Sequence, residues 1–210
     1  MSMQRALDDY GWTSEQPTHS LAYIAPAVKR WLDRLTVRRV LDCGSGNGAL
    51  CHDLAAAGFD AVGVEPDLGG VTIARNAFPS IPFHHLGIQN DPALLLSHEA
   101  RFDAVVATEV IEHLFAPQQL PDFAAAVLKP GGYLIVTTPY HGYWKNLALS
   151  VVDAWDKHHT ALWQGGHIKF WSRTTLSTLL VENGFSVVSF EGLGRMPWMW
   201  KSMLLVAKKD

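Results

Sequence analysis

The stretch Val40-Leu41-Asp42-Cys43-Gly44-Ser45-Gly46-Asn47-Gly48 constrains this chain more than any other. An apolar run enters an acid, three glycines follow at alternate positions, and a helix-forming segment comes directly after. Glycine accepts backbone angles that a Cβ forbids, so the chain can turn sharply here and lie flat against a ligand. Strand, glycine turn and helix in that order open a parallel α/β sheet, whose ligands sit beyond the carboxyl ends of its strands. Asp42 narrows the ligand, because a carboxylate repels a pyrophosphate and attracts an ammonium or sulfonium group. The expected ligand is a nucleoside carrying positive charge rather than phosphate.

Apolar periodicity and turn residues predict strands at 37–43, 59–64, 83–86, 102–107, 133–138, 185–191 and 198–207. Helices are expected at 21–35, 48–57, 68–78, 92–99, 109–114 (resuming at 120–128) and 174–183. Lys129-Pro130-Gly131-Gly132 reads as a tight turn into the fifth strand. Alternating strands and helices imply a parallel sheet covered on both faces. The last two strands have only a short connection and so must run antiparallel. The alternation breaks over 139–166, an insertion rich in Trp, Tyr and His.

The chain has 210 residues, 48% of them hydrophobic, enough for one well-buried core and short for two domains. One domain spanning 1–210 is expected, with 1–20 as an N-terminal lid or tail. A net charge of -3 without a long run of one sign argues against a nucleic-acid groove. Cys43 and Cys51 fit no metal-binding spacing and read as small packing residues. The polar start lacks the apolar core of a signal peptide, and no apolar run approaches membrane-spanning length. A soluble cytoplasmic protein is the expectation.

Glu65 closes the second strand about twenty residues beyond the first glycine, where an acid can hold both hydroxyls of a ribose. With these residues in view, the chain resembles the class I S-adenosylmethionine-dependent methyltransferases over nearly all of its length after about residue 20. The matching pieces are 41–48, Gly63-Val64-Glu65-Pro66-Asp67, Phe102-Asp103-Ala104-Val105-Val106 and Leu128-Lys129-Pro130-Gly131-Gly132. The resemblance implies a Rossmann-like sheet of seven strands, the last inserted antiparallel between the fifth and sixth. It further implies S-adenosylmethionine as cofactor, with Gly44, Ser45, Gly46 and Gly48 at its methionine portion and Asp42 facing its ammonium. Glu65 and Pro66 would take the ribose, and Thr108 and Glu109 the rim after the fourth strand. Many relatives carry an acid after the third strand for the adenine amino group. This chain instead has Ile88 and Gln89, placing Ile88 on the adenine face and Gln89 or a backbone carbonyl at the amino group.

On a helix over 109–114, Glu109, Glu112 and His113 would share one face. Two carboxylates and an imidazole make a plausible Mg²⁺ or Mn²⁺ site, with His167 as a fourth ligand. The arrangement looks like ubiquinone-pathway O-methyltransferases and small-RNA 2′-O-methyltransferases, in which the resemblance implies a divalent cation holding the acceptor oxygen. Metal-free relatives carry the same Glu-His, and there His113 is the candidate base; His141, His158 and His159 are weaker candidates.

Trp144, Leu147, Ala148, Val151, Val152 and Trp155 recur at helical spacing within the insertion. They predict a helix that caps the acceptor pocket or packs on the sheet. Tyr140, Tyr143 and Trp163 would suit an aromatic or apolar acceptor. Tyr10-Gly11-Trp12 and His19 are candidates to fold over the cofactor. Trp198-Met199-Trp200 reads as packing or as an oligomer contact. The leading expectation is methyl transfer to an oxygen of a small molecule. The alternatives are an RNA 2′-O-methyltransferase, an NAD-dependent oxidoreductase and a non-catalytic cofactor-binding regulator. The oxidoreductase would need a longer glycine turn and a Tyr-Lys pair at a spacing that Tyr140 to Lys145 does not match.

Overall fold

The computed structural model describes residues 11–159 and 165–210. Seven strands form one sheet: β1 Arg39–Cys43, β2 Asp60–Glu65, β3 Phe83–His85, β4 Phe102–Thr108, β5 Leu128–Pro139, β6 Phe185–Leu193 and β7 Ser202–Lys209. Their order is β3-β2-β1-β4-β5-β7-β6. β1 to β5 pair in parallel, and β7 lies antiparallel between β5 and β6. The direction of strand order reverses between β1 and β4, which opens a crevice at their carboxyl ends.

Side-chain alternation along the strands separates two cores. Val40, Ala104, Val106, Ile135, Leu204 and Val206 face the helices α1 (Leu21–Leu35), α2 (Ala49–Ala56) and α3 (Leu68–Ala77). Leu41, Val105, Leu134, Val136 and Leu205 face the other way, toward α4 (Pro92–Leu96), α5 (Gln119–Val127) and a helix at Arg173–Glu182. Asp67 and Asp91 accept first-turn amides at the starts of α3 and α4, as capping acids do. The insertion holds α6 (Tyr143–Val151) and α7 (Trp155–His159), and Arg173–Glu182 is α8.

Three local expectations need correction. Residues 109–114 do not form an α-helix: Glu109 takes a left-handed conformation (φ 54°) and only Ile111–His113 makes a single 3₁₀ turn. The amide of Glu109 is drawn instead to the carbonyl of Thr137 across the sheet edge. The Lys-Pro-Gly-Gly segment lies inside β5 as a bulge, since Phe102 pairs with Leu128 and Ala104 already with Tyr133. β7 begins at Ser202 rather than 198, and Trp200 packs edge-on against Tyr140 and Phe190 instead. Both cysteines are buried and unbridged. Among the described residues no helix is long and apolar enough to cross a membrane.

Candidate active site

The glycine turn is built by its neighbours as much as by its own sequence. Gly44 and Ser45 donate their amides to the carbonyl of Val64, folding the loop back onto β2. Glu65 then accepts from the amide of Gly46 at 2.8 Å and from that of Asp67 at 2.9 Å, locking the loop to the end of β2. Gly46 has φ 52°, and a Cβ there would meet the ring of Trp12 at 2.4 Å. Only glycine permits both the backbone angle and that approach.

Two adjoining cavities open at the crevice. The first, about 440 Å³, is lined by Asp42, Gly44, Ser45, Gly46, Thr108, Glu109, His113 and His167, with Trp12 and Ser20 from the N-terminal side. The second, smaller at about 180 Å³ and more apolar, is lined by Glu65, Pro66, Ile88 and Gln89, with Val64, Leu86, Val110 and Leu114. Trp12 borders both. Of the residues expected at the cofactor, only Gly48 stands away from these walls. Its amide bonds to the carbonyl of Ser45, and its α-carbon faces Ala74 and Phe83, so it starts α2 and packs it on α3.

Asp42 is buried, and its Oδ1 has no partner among the described residues. Among the described residues the other oxygen accepts only from the Cys51 thiol, at 3.5 Å. Burial, with Glu65 nearby, lifts the Asp42 pKa to about 7, and burial lifts Glu65 to about 7. Such unneutralised acids are costly unless a cation completes them. An orphaned carboxylate oxygen in the wall of this cavity suits an ammonium group, and the apolar slot beyond Glu65 suits a flat base.

Asn47 was not foreseen as a site residue. Its side-chain amide donates to the carbonyls of Ser14 and Gln16, at 2.9 and 2.8 Å, and ties the N-terminal segment across the glycine turn. Tyr10 and Trp163 lie outside the described residues. His19 contacts Lys201 at 3.5 Å, away from both cavities.

The expected four-residue metal group is rearranged. The turn at Glu109 sends its carboxylate to the hydroxyls of Thr137 and Ser202, at 3.0 and 3.2 Å. Glu112, His113 and His167 converge without it, their ligand atoms all within 4.8 Å of one another. Glu112 is fully buried; Oε2 accepts from Thr138 at 3.0 Å, while Oε1 has no hydrogen-bond partner among the described residues. That oxygen lies 4.0 Å from Nε2 of each histidine. His113 donates Nδ1–H to the carbonyl of Gly165 at 2.7 Å, which makes Nε2 its basic nitrogen. The carbonyl of Glu112 accepts from Ile168 and Lys169 and holds the His167 segment in place. Burial raises the pKa of Glu112, and Glu109 adds to the rise. An orphaned buried carboxylate oxygen between two imidazole nitrogens is a donor set that fits a divalent cation.

A third cavity, about 460 Å³, shares Glu109 and His167 with the first. Its walls are Lys145, Ala148, Leu149, Val152, His158, Arg195, Met199, Lys201 and Ser202 with Tyr23 and Pro139. The insertion therefore does border a pocket, but of the expected stripe only Ala148 and Val152 line it. Trp144, Leu147 and Val151 are exposed, and Lys145 is the buried residue of α6. Tyr143 is 72% exposed, and Tyr140 is buried against Trp200 in the core, so neither lines this cavity. Lys145 turns inward because its ammonium reaches the carbonyl of Lys201 at 3.2 Å.

A methyltransferase domain matches this chain over residues 14–190. The chain belongs to the methyltransferase family. It is 31% identical over 195 residues to a ubiquinone biosynthesis O-methyltransferase of Bradyrhizobium sp. (strain ORS 278), covering 85% of this chain and 73% of that one. A magnesium protoporphyrin IX methyltransferase of Synechocystis PCC 6803, solved with bound SAH, superposes with a TM-score of 0.63 at 20% identity, covering 99% and 93%. An S-adenosylmethionine-dependent methyltransferase of Clostridium acetobutylicum ATCC 824 superposes at 0.67 with 10% identity, covering 89% and 90%. The class I, Rossmann-like architecture and dependence on S-adenosylmethionine follow for this methyltransferase, which is related to the ubiquinone-pathway O-methyltransferases.

Proposed function

We propose that this methyltransferase transfers the methyl group to a hydroxyl oxygen of a small molecule, with an aromatic hydroxyl the best match. The observation carrying this reading is the adjacency of two cavities that share Glu109 and His167, one walled by Asp42 and the glycine turn, the other by the insertion. The relationship to O-methyltransferases named for ubiquinone biosynthesis supports oxygen as the acceptor atom. S-adenosylmethionine supplies an activated methyl on sulfur; the methyl–sulfur bond breaks as the methyl–oxygen bond forms, and the hydroxyl proton leaves to a base. The chain's own residues do the rest. Asp42 holds the donor's ammonium, Gly44, Ser45 and Gly46 let its methionine portion approach the backbone, and Thr108 borders the same end. Glu65 takes the ribose on lone pairs not used by the two amides, beside Pro66. Ile88 covers the adenine face with Gln89 at its edge. Holding both reactants in line supplies much of the acceleration.

Two groups suit the proton. Glu109 sits at the boundary with its pKa lifted by burial to about 7, and the basic Nε2 of His113 beside the shared wall, where no ion occupies it, is the other. A pKa near the working pH is what general-base work requires. Glu112, His113 and His167 would hold a divalent cation, and two imidazoles with one carboxylate favour Mn²⁺ over Mg²⁺. Such an ion lowers the pKa of a hydroxyl bound to it. Residues 11–20 with Trp12 act as a lid over the donor, and the insertion at 139–166 as a wall of the acceptor site, within one domain and a cytoplasmic location.

The test is release of S-adenosylhomocysteine by the purified chain with a panel of phenols and catechols, with and without Mn²⁺. Methylated product bearing a new ether is expected. Methyl groups appearing on nitrogen or carbon of such acceptors would remove the oxygen assignment.

A further inference from the structure

We propose that the cavity beside the donor site takes an acceptor bearing an anionic group, a carboxylate or a phosphate-type anion, seated on Lys145, Arg195 and Lys201. This deepens the O-methylation reading and rests on it. Three cations and two histidines border this cavity, and Glu109 is the one carboxylate among its described lining residues. Among the described residues, no acid forms an ion pair with Lys145, Arg195 or Lys201. Surface lysines are usually explained by solvation, but Lys145 is 5% exposed. An ammonium has three protons to donate, and among the described residues this one has a single hydrogen bond, to the carbonyl of Lys201. Burial, with Arg195 close by, depresses its pKa to about 8, while Glu109 draws it back only in part. Lys201 lies over the ring of Tyr23 and touches His19, again without a carboxylate. A buried cation held this way is completed by an anion from outside the chain.

The remaining wall says what else the acceptor carries. Pro139, Ala148, Leu149, Val152 and Met199 are apolar and fit a hydrocarbon or aromatic body. Glu109 and His167 lie on the side shared with the donor cavity, so the hydroxyl to be methylated points there and the anion points toward Arg195. The anion is an anchor, and its charge keeps it off the acid-lined donor cavity. It also gives the site a reason to reject neutral analogues, because these would leave the buried Lys145 without a counter-ion bound against it.

The experiment uses the full chain and three matched probes, a catechol carboxylate, a catechol phosphonate and a catechol carboxamide, reading S-adenosylhomocysteine release and calorimetric binding. An anionic probe should exceed the carboxamide roughly tenfold or more in kcat/KM, the scale of a charged hydrogen bond. Carboxylate against phosphonate identifies which anion is native. Arg195→Met, at an exposed residue of the β6–β7 connection, should collapse that preference by raising acceptor KM; Lys145→Met should do so as well if it folds. Equal use of all three probes by the wild type would overturn the proposal. So would a rise in KM for the donor with the preference intact, which would assign the cations to the donor's own carboxylate. Binding of an anionic probe that Arg195→Met weakens, without turnover, supports the anion site and breaks the O-methylation reading. Neither binding nor turnover with any probe overturns the anion site.

Discussion

At the glycine turn the cleft is walled by acids, Asp42 and Glu65, whereas across Glu109 it is walled by Lys145, Arg195 and Lys201. Both ends bury charge that the chain itself leaves incompletely partnered, with opposite sign. The acid end is built from strand termini and a loop locked by backbone hydrogen bonds, so its geometry is set by the sheet. The basic end draws on α6, the β6–β7 connection and the start of β7. A sheet-borne acid site suits a donor that never changes, and a site borne on peripheral elements suits an acceptor that differs between relatives. A partly charged cleft of this kind sorts its two substrates before either is fully seated, since each is repelled from the other's end.

The largest effect should come from breaking the acid end. Asp42→Asn removes the charge proposed to face the donor's ammonium, and affinity for S-adenosylmethionine should fall roughly 100-fold, as when one partner of a buried ion pair is lost. The same variant should stabilise the chain in the absence of donor. The Asp42 pKa stands at about 7 in the fold against an ordinary 3.8. A raised carboxylate means that the folded chain keeps a proton the unfolded chain releases, so stability falls as pH climbs between those values. The advantage of Asp42→Asn over the wild type should therefore grow between about pH 4 and about pH 7 and level off above that. Comparing the two proteins cancels the opposite contribution of the buried histidines. Calorimetry for the donor and thermal denaturation at both pH values check this, and unchanged donor affinity would break the charge contrast at its acid pole.

Next in size is the junction between the two ends. Glu112→Gln keeps the shape of the side chain and its bond to Thr138 but removes the charge between His113 and His167. Affinity for Mn²⁺ should drop on the order of 10- to 100-fold, the usual cost of disturbing a metal's surroundings. Thermal denaturation gives a readout without turnover: Mn²⁺ at a concentration that half-saturates the wild type should raise its Tm and shift the variant far less. If Mn²⁺ shifts neither protein, the three side chains are a proton relay, and His113 acts as base alone.

How far the sequence revealed these two ends differs for a physical reason. The glycine turn, with Asp42 and Glu65 near strand ends beside it, and the antiparallel run of the last strand were legible from local pattern and a short connection, whereas the place of β7 between β5 and β6 came from the family resemblance. Ile88 and Gln89 were placed by the resemblance rather than by local pattern, and both line the second cavity. The acceptor side could not be read this way. Trp144, Leu147 and Val151 keep helical spacing, which implies a buried face, yet they are exposed and Lys145 is buried. Periodicity identifies the helix but cannot register that an ammonium pays its desolvation through the carbonyl of Lys201, 56 residues away. Likewise, placing Glu109 with Glu112 assumed an α-helix. The left-handed turn at Glu109 comes from hydrogen bonds to Thr137, a partner in another strand. Arg195 carries no local pattern at all.

The smallest expected effects concern how the acid end is covered. Trp12 lies on Gly46 and Gly70 and borders both donor cavities, so Trp12→Ala should weaken donor binding by about tenfold through lost apolar cover. Asn47→Ala leaves Trp12 in place but releases the carbonyls of Ser14 and Gln16. Two hydrogen bonds of ordinary strength, partly replaced by water, place its effect on donor affinity at roughly fivefold. The lid should act on the donor alone. Both variants should therefore leave acceptor KM unchanged at saturating S-adenosylmethionine, while Arg195→Met moves acceptor KM and spares the donor. An Asn47→Ala protein whose acceptor KM rises as much as its donor KM would mean that the N-terminal segment spans both ends, and the division between them would have to be redrawn.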